Sequence, residues 1–334
     1  MIYRRPWHPV SLTLLGVSMA LHFLTVVLYV RLPDAFAAFT VFPIWSWGII
    51  GILLSAIAFV SFRGHLSLLV SLIWVFTILM MADEASSIGR LATPQLKAGR
   101  AEPHAGSRVL RVATLNCARR APLDGLTREY QPDILFLQEI PRSYQLKKIV
   151  DEIFAGEGDY RYNIKKGCAV MVRGKIEFEV PIPKYRAQIL TVKMNTGESI
   201  QLMNTHLQVA TTNLRLWDPE CWRQHRDNRK LRQSELAYTM NVLRKKSPSH
   251  RLPTIIAGDF NAPANDAVYR LLESNFTGAF ESVGTGWGNT YHRALPLLRI
   301  DHIFSSEKLV PIRCKTLKLK DSDHRAVIAD YVYR

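Results

Sequence analysis

Formal charge is scarce in the first quarter of this 334-residue chain. Residues 1–83 contain only four arginines and two aspartates, which are Arg4, Arg5, Arg31, Arg63, Asp34 and Asp83. Apolar runs without charge fill the intervals, at 10–30, 37–62 and 66–82. A membrane-crossing helix needs about 20 apolar residues, with a range of about 17 to 25, so all three runs qualify, the third narrowly. The sequence therefore predicts a membrane anchor over residues 1–83 with three transmembrane helices.

The first run also lacks a small-x-small cleavage site at its end, where the sequence reads VLYVRLPDAF. This absence argues against a removable signal peptide, although Arg4 and Arg5 make the N-terminus basic. Arg4, Arg5 and Arg63 predict a cytoplasmic N-terminus and second loop, because basic residues flank spans on that side. Three spans then predict that the chain after about residue 84 lies outside the cytoplasm, at the cell membrane.

Cysteines are few, and their spacing matches no zinc-binding pattern. The four are Cys117, Cys168, Cys221 and Cys314, all beyond the anchor. Outside the cytoplasm, a disulfide between them is an open alternative.

Basic residues are in excess in the chain beyond the anchor, because that part carries about +13 of the net charge of +15. The excess favours an anionic partner, such as nucleic acid, lipid headgroups or a cell-surface polymer, over a generically basic surface.

Residues 84–107 are rich in Ala, Ser, Gly, Pro and charge, and they are predicted to be a linker. Beyond it, strand-like apolar runs alternate with two stretches of helical spacing, at 143–154 and 232–246. The strand-like runs are RVLRVATLN, DILFLQEI, CAVMVR, ILTVKM, SIQLMNTHL, TIIAGDFN, RIDHIF and AVIADYVY. The pattern predicts an α/β domain over residues 108–334.

Polar residues stand at or next to the ends of several of these runs. Each one alone fits turn or cap chemistry, but eight such residues, four of them carboxylates, favour a shared cleft at one edge of a sheet. They are Asn116, Glu139, His206, Asp259, Asn261, Asp301, Asp323 and His324. Carboxylates, amides and histidines without cysteine suit a hard cation such as Mg²⁺ or Mn²⁺.

Six motifs in this order resemble those of the endonuclease/exonuclease/phosphatase superfamily, the group that contains DNase I. They are TLN at 114–116, LQE at 137–139, NTHL at 204–207, GDFN at 258–261, RIDHIF at 299–304 and SDHRAV at 322–327. The resemblance covers about residues 108–334 and not the anchor. It implies a four-layer αββα sandwich, in which two mixed β-sheets face each other with helices outside.

The resemblance also implies roles for these residues. Glu139 is the expected main ligand of Mg²⁺ or Mn²⁺, with Asn116 and Asp323 beside it. Asp259 is expected to orient and deprotonate the attacking water, with Asn261 holding that water or a phosphate oxygen. His324 is expected to contact the phosphate or transfer a proton, with its ring held by Asp301. His206 is expected to bind the phosphate or assist the leaving oxygen.

Some family features are harder to place. DNase-type members pair the first histidine with a second acid, and Asn163 is a weak counterpart here. Trp287, Asn289 and Tyr291 precede RIDHIF, in a region where relatives shape the substrate pocket, although core and turn roles fit them equally. Residues 217–231 hold two tryptophans and several basic residues, among them Arg229, and suit a nucleic acid, a membrane surface or a solvated face.

The resulting expectation is a membrane-anchored, divalent-metal-dependent phosphoesterase that hydrolyses phosphodiester bonds by in-line attack of water. A nuclease acting on DNA or RNA is favoured because of the basic balance. A phospholipid or sphingolipid phosphodiesterase, or a phosphatase, is the alternative suggested by the anchor and the two tryptophans. A non-catalytic binding module is disfavoured, because a scaffold has no need of both Asp259 and His324.

Overall fold

The computed structural model describes residues 8–62, 64–120, 123–141, 144–246, 252–292 and 295–334. Arg4, Arg5 and Arg63, which carried the predicted orientation, lie outside these residues. Five helices open the described chain. They are α1 (His8–Arg31), α2 (Ala37–Thr40), α3 (Ile44–Phe62), α4 (His65–Met81) and α5 (Asp83–Gly89).

Only one of these helices, over Pro9–Arg31, is by itself long and apolar enough to cross a membrane. The expectation of three transmembrane helices is therefore corrected to one clear candidate, or up to three if each bent helix pair forms one span. The second predicted run breaks, because α2 ends at Thr40 and Pro43 disfavours helical geometry in the residue before it. The two shorter helices, α3 and α4, reach span length only together with neighbours bent away by 68° and 73°.

Within the described residues, twelve strands form two six-stranded sheets. The strands of the first sheet, in spatial order, are β11 (Leu309–Lys318), β12 (Arg325–Tyr333), β1 (Val109–Asn116), β2 (Ile134–Gln138), β4 (Cys168–Val172) and β3 (Asp159–Asn163). Those of the second are β5 (Gly174–Val180), β6 (Ala187–Met194), β7 (Ser199–His206), β8 (Thr254–Asp259), β10 (Asp301–Ser306) and β9 (Phe276–Gly278). Both sheets are mixed, because β1–β2 and β7–β8 run parallel while the other pairs run antiparallel.

Helices α6 (Asp124–Tyr130) and α7 (Leu146–Phe154) cover the outer face of the first sheet, and α8 (Pro219–Lys246) covers that of the second. A short helix, α9 (Ala279–Val283), packs at one end. Apolar side chains from both sheets meet in a central core that includes Val112, Phe136, Leu202, Ile255 and Val327. These layers confirm the expected DNase I-like αββα architecture with two mixed sheets.

The burial of strands and helix faces explains why the apolar runs in the sequence predicted these elements. Strand β4, CAVMV, is buried along its whole length, so it reads as a continuous apolar run. In α7, Leu146, Val150 and Phe154 recur every four residues and form the buried face. Helix α8 begins earlier than its apolar spacing predicts, because Asp218 accepts a hydrogen bond from the Glu220 amide (2.9 Å) and Pro219 occupies the first helical position.

The segment predicted as a linker carries structure and contacts. Helix α5 and a 3₁₀ turn over Arg90–Ala92 lie in it, and Leu96 is buried in the core beneath α6 and α7. The guanidinium of Arg111 on β1 donates to the carbonyl oxygens of Lys97 (3.1 Å) and Gly99 (2.5 Å). The segment is therefore fastened to the first sheet.

Arg111 also forms a buried bidentate ion pair with Asp330 of β12, with Nε–Oδ1 at 2.6 Å and Nη2–Oδ2 at 3.0 Å. We expect Arg111→Met to lower the free energy of unfolding by about 3–5 kcal/mol, because a buried carboxylate loses its main partner. Chemical denaturation of the purified chain measures this. The exposed pair of Arg128 and Asp124 supplies the control, since Arg128→Met should change stability by less than about 1 kcal/mol. Equal effects of the two variants would contradict the prediction.

Candidate active site

Strand pairing brings six of the predicted residues to one edge of the two facing sheets. Asn116 ends β1 and Glu139 follows β2, its parallel neighbour. His206 and Asp259 are paired at the ends of the parallel strands β7 and β8. Asp301, at the start of the antiparallel strand β10, pairs with Asp259. The loop with His324 leads into β12, next to β1.

Backbone geometry at this edge is unusual for the residue types present. Glu139 (φ 47°) and Asn261 (φ 50°) both adopt left-handed conformations, which are uncommon for residues other than glycine. Gly258 has φ 144°, and a Cβ there would lie 1.9 Å from the carbonyl oxygen of Thr205 on β7. Glycine is therefore required before Asp259. Such outliers cluster at functional sites, where surrounding structure holds them.

Asp259 is buried at the junction of the two sheets. Its Oδ2 accepts a hydrogen bond from Asn116 Nδ2 (2.9 Å), and its Oδ1 accepts from the amide of Asn261 (2.8 Å). Asn261 Nδ2 donates in turn to the carbonyl oxygen of Leu207 (3.0 Å). Burial and then the charge of Asp301 raise the pKa of Asp259, which makes this carboxylate more basic than an ordinary aspartate.

His324 and Asp301 form the hydrogen-bonded pair that the resemblance implies. His324 Nδ1 lies 2.8 Å from Asp301 Oδ2, and His324 Nε2 points toward Asp259 with its nearest oxygen at 3.9 Å. Burial lowers the pKa of His324, but the charge and hydrogen bond of Asp301 outweigh it and raise that pKa to about 10. The imidazole is therefore protonated at neutral pH in this environment and presents an N–H to the cleft.

His206 sits between two carboxylates without bonding to either. Its Nε2 lies 3.8 Å from Glu139 Oε1 and 3.8 Å from Asp259 Oδ2. Burial, and then the positive charge of Arg186, lower the pKa of His206 to about 3, so this ring is neutral. Neither ring nitrogen has a hydrogen-bond partner among the described residues. Asn163, the weak counterpart for a paired acid, instead accepts from the Lys166 amide (3.2 Å).

Buried polar atoms without partners point to a ligand that belongs in this cleft. Besides the His206 nitrogens, Asp301 Oδ1 has no partner among the described residues. Glu139 keeps its carboxylate partly exposed at the cleft, with Arg119 Nε at 3.9 Å. Oxygen ligands of this kind fit a hard divalent cation. Asp323 is partly exposed beside His324 and adds to the negative charge around that ring.

A second grouping of possible ligands lies deeper in the site. Asp259, Asp301 and His324 each offer one atom, and these atoms lie within 4.8 Å of one another. In this grouping His324 already carries a proton that Asp301 and Asp259 stabilise, and a protonated ring has no lone pair for a metal. The deeper group therefore has internal partners in its own ion pair, and the partly exposed carboxylate of Glu139 offers a second place where a cation could bind.

The four residues expected to bind substrate lie in different places in the structure. Tyr291 does lie at the site, with its ring centroid 5.1 Å from that of His324. Trp287 is partly exposed and donates through Nε1 to the carbonyl oxygen of Pro296 (2.8 Å). Asn289 is buried and donates to Glu84 Oε1 (2.9 Å), beside the N-terminal helices.

Arg229 is not placed where a substrate could reach it, and this expectation is corrected. Its side chain is 1% exposed. The guanidinium bonds to Asp266 Oδ2 (3.0 Å) and Thr40 Oγ1 (2.6 Å), so it joins α8 to α2. All four cysteines are free and buried, so the open alternative of a disulfide is not realised.

A basic pocket beside Glu139 and His206 was not anticipated. We use this name for the cavity of about 770 Å³ whose lining includes Arg119, Lys165, Lys166, Arg186 and Tyr162. The hydroxyl of Tyr162 is buried and has no hydrogen-bond partner among the described residues. The adjacent lysines in IKKG were the only local signal, because these residues come from three separate loops and strands.

Two hydroxyls, one in the segment before RIDHIF and one in the SDHRAV motif, hold the loops around the site. Thr290 Oγ1 accepts from the amides of Ile300 (3.1 Å) and Asp301 (3.2 Å). Ser322 Oγ donates to the Asn116 carbonyl oxygen (2.7 Å) and accepts from the His324 amide (3.0 Å). Ser322 thus fixes the loop of His324 to the end of β1.

Comparison with known proteins agrees with this geometry. The sequence profile described as "Endonuclease/Exonuclease/phosphatase family" matches residues 113–324. No curated protein gives a significant match. Among solved structures, an endonuclease/exonuclease/phosphatase from Bacteroides vulgatus is similar with a TM-score of 0.51 and 16% identity, over 68% of this chain and 100% of that one.

Two further solved structures share the fold. The human Nocturnin catalytic domain with bound sulfate anion has a TM-score of 0.52 and 19% identity, over 68% of this chain and 94% of that one. The mannosyl-6-phosphatase Bt3783 of Bacteroides thetaiotaomicron has a TM-score of 0.51 and 18% identity, over 67% of this chain and 100% of that one. At such identities the likeness concerns the fold alone.

Proposed function

The chain belongs to the endonuclease/exonuclease/phosphatase family, and on that premise we propose that it is a membrane-anchored, divalent-metal-dependent hydrolase of phosphodiester bonds. The observation that carries the proposal is the buried Asp259, held by Asn116 and Asn261, between a protonated His324 and a neutral His206. This arrangement supplies a base, a cationic donor and a neutral ring around one point, as in-line attack on a phosphate requires.

In this proposal Asp259 accepts the proton of the attacking water. Its hydrogen bonds from Asn116 Nδ2 and the Asn261 amide fix the carboxylate, so the water approaches in a defined direction. The His324 N–H donates to a phosphate oxygen on which negative charge grows, and Asp301 holds that ring. His206, with both ring nitrogens available, binds a further phosphate oxygen or the leaving oxygen.

Glu139, with Asn116 and Asp323 nearby, would hold Mg²⁺ or Mn²⁺, which supplies charge neutralisation on the phosphate. Glu139 has a left-handed backbone conformation and lines the cavity beside His206. Asn116 is shared, because its amide nitrogen already bonds to Asp259 and its Oδ1 accepts from the Ala118 amide (3.0 Å). Its Oδ1 keeps a second lone pair, with which it would help to hold the cation.

Nucleic acid is the favoured substrate, and the basic pocket supports it. Four cationic residues line a cavity directly beside Glu139 and His206, where the next phosphates of a polymer would lie.

A phospholipid phosphodiester is the second candidate. It is favoured by the position of Pro263–Asn265, just beyond Asn261, which line a crevice together with Met81 of α4 and Pro43, directly before α3.

A hydrolysis panel with the full chain in lipid nanodiscs tests the proposal. Plasmid DNA, single-stranded RNA, sphingomyelin and phosphoinositides are compared in Mg²⁺ and in EDTA. Metal-dependent cutting of nucleic acid supports the first candidate, and lipid cleavage without nuclease activity supports the second. Absence of hydrolysis on a broad set of phosphodiesters and phosphomonoesters would contradict the proposed activity.

The basic pocket gives a prediction of its own. In an inactive Asp259→Asn background, Lys165→Gln with Arg186→Gln should weaken oligonucleotide binding and lower the slope of log K against log salt by about 2, because two phosphate contacts are lost. Fluorescence anisotropy over a range of salt concentrations measures this. Lys147→Gln with Lys148→Gln removes the same charge from the exposed face of α7 and serves as control. Similar slopes for the two double variants would argue against the pocket.

We also propose that α1 crosses the cell membrane and that the catalytic domain lies on the side opposite to the N-terminus. The apolar length of Pro9–Arg31 supports the crossing. The basic residues Arg4, Arg5 and Arg63 support the orientation. The shorter helices α3 and α4 would accompany α1, since both pack against it.

A further inference from the structure

The segment that directly follows His206 exposes apolar side chains. This segment, residues 207–218, is called the 207–218 loop below. Trp217 is 82% exposed, Leu214 is 52% exposed and Val209 is 47% exposed. Single exposed apolar residues are ordinary, but three within one loop that also carries the exposed Arg215 indicate a contact surface.

The loop is held rigidly despite its exposed apolar side chains. The carbonyl oxygen of Asn213 accepts a hydrogen bond from Cys221 Sγ. The same oxygen lies 2.8 Å from His225 Nε2. Trp222 Nε1 donates to the carbonyl oxygen of Leu216 (2.8 Å). The first turns of α8 therefore fix the loop in an outward position, and its exposure is a feature of the fold.

The same helix connects the loop to the end of the proposed membrane helix. The ring of Trp222 meets that of Phe36 edge-on, with centroids 5.8 Å apart. Phe36 lies only five positions beyond the end of α1, in the turn Asp34–Phe36 that packs against α8. The start of α8, to which the loop is bonded through Trp222, thus lies against the segment that directly follows α1.

Three arginines of the C-terminal domain bond to residues at or just beyond the C-terminal ends of the N-terminal helices. Arg229 bonds to Thr40, and Arg270 Nη2 donates to the carbonyl oxygens of Val30 (2.9 Å) and Arg31 (3.1 Å). Arg299 pairs with Asp83, directly after α4. With contacts at the ends of both α1 and α4, the domain has a defined orientation to the membrane plane.

We propose that the 207–218 loop lies in the headgroup layer of the bilayer that α1 crosses, with Trp217 and Leu214 among the acyl-chain ends and Arg215 at anionic phosphates. Tryptophan concentrates at this interface, and each basic residue near an anionic surface adds attraction. The occupant is a lipid surface because the loop adjoins the end of a membrane helix. The inference rests on the membrane anchoring proposed above and not on the reaction.

This position has a consequence for the active site. Leu207, the first residue of the loop, donates its amide to the carbonyl oxygen of Asp259 (3.0 Å). The neighbouring residue His206 lines the basic pocket. Membrane contact by the loop therefore holds the catalytic cleft close to the bilayer surface, within reach of phosphoesters presented there.

Single cysteines carrying an environment-sensitive fluorophore test the inference in the full chain. The four native cysteines are buried, so an introduced one is selectively labelled. Leu214→Cys reports on the loop. Phe23→Cys, exposed on α1, reports on the bilayer core, and Lys193→Cys, at the end of the second sheet opposite to His206, reports on water. The chain is placed in nanodiscs of phosphatidylcholine and phosphatidylglycerol, with and without lipids that carry a quencher near the headgroup.

We expect the label at 214 to emit at shorter wavelength than the label at 193 and to be quenched by the headgroup-proximal lipid. Adding Trp217→Ala to the labelled chain should shift its emission toward the value at 193. A water-like signal at 214 with a bilayer signal at 23 would overturn the loop inference alone. Water-like signals at both would overturn the anchoring as well. A blue shift that depends on protein concentration, without lipid quenching, would assign the surface to a second copy of the chain and also overturn the inference.

Discussion

Asp259→Asn is expected to reduce hydrolysis by about 10²- to 10⁴-fold at saturating substrate while the chain keeps its fold. The substituted side chain has the same shape and can still accept one hydrogen bond from Asn116 or Asn261, but it cannot take a proton from water. The rate constant kcat, on the substrate that the hydrolysis panel identifies, measures the loss. Circular dichroism and the melting temperature establish that folding is retained.

A matched control is available on the outer layer. Asp151 is exposed on α7, and Asp151→Asn makes the same chemical change away from the cleft. It should leave kcat within about twofold, because surface substitutions of this kind shift stability by less than about 0.5 kcal/mol. Turnover in Asp259→Asn at the level of this control would show that Asp259 is not the base.

Glu139→Gln is expected to abolish metal-dependent turnover and to weaken Mn²⁺ binding by at least the 10- to 100-fold typical of changes around metal ligands. The neutral amide keeps the size of the side chain but removes the charge that a hard cation requires. Isothermal titration with Mn²⁺ gives the affinity independently of activity. Turnover should return only in part when the metal concentration is raised.

Asp301→Asn separates the two possible cation sites. We expect this variant to lose turnover, because His324 loses the carboxylate that orients and charges it, yet to bind Mn²⁺ with nearly unchanged affinity. The reverse result, with affinity lost in Asp301→Asn and kept in Glu139→Gln, would place the cation in the group of Asp259, Asp301 and His324. The two measurements together therefore locate the metal.

The positions of several candidate site residues at strand ends were readable from the chain alone. Asn116, Glu139, His206 and Asp259 end or follow apolar strands, and β-strand pairing brings strand ends to one edge of a sheet. Because each position is defined by its own strand, local sequence was sufficient to identify it. The α/β class followed from the same runs, and the two mixed sheets with outer helices were implied by the resemblance of the six motifs.

Contacts between distant segments were not readable in this way. The basic pocket combines Arg119, Lys165 and Arg186 from three parts of the chain, and no local pattern marks their proximity. For Arg229, local sequence suggested a role that the tertiary contacts contradict. Its basic and aromatic neighbourhood suggested a substrate surface, but packing against Thr40 and Asp266 buries it.

The sequence by itself determined that an apolar N-terminal segment precedes an α/β domain, because hydrophobic periodicity is a local property. The resemblance of the strand-end motifs implied that this domain is a phosphoesterase. The tertiary structure decided how these parts meet. It broke the second apolar run before Ile44, fastened residues 97 and 99 to Arg111, and brought Trp222 at the start of α8 against Phe36, just beyond α1. These features depend on which surfaces pack together, and packing is settled only when the whole chain has folded.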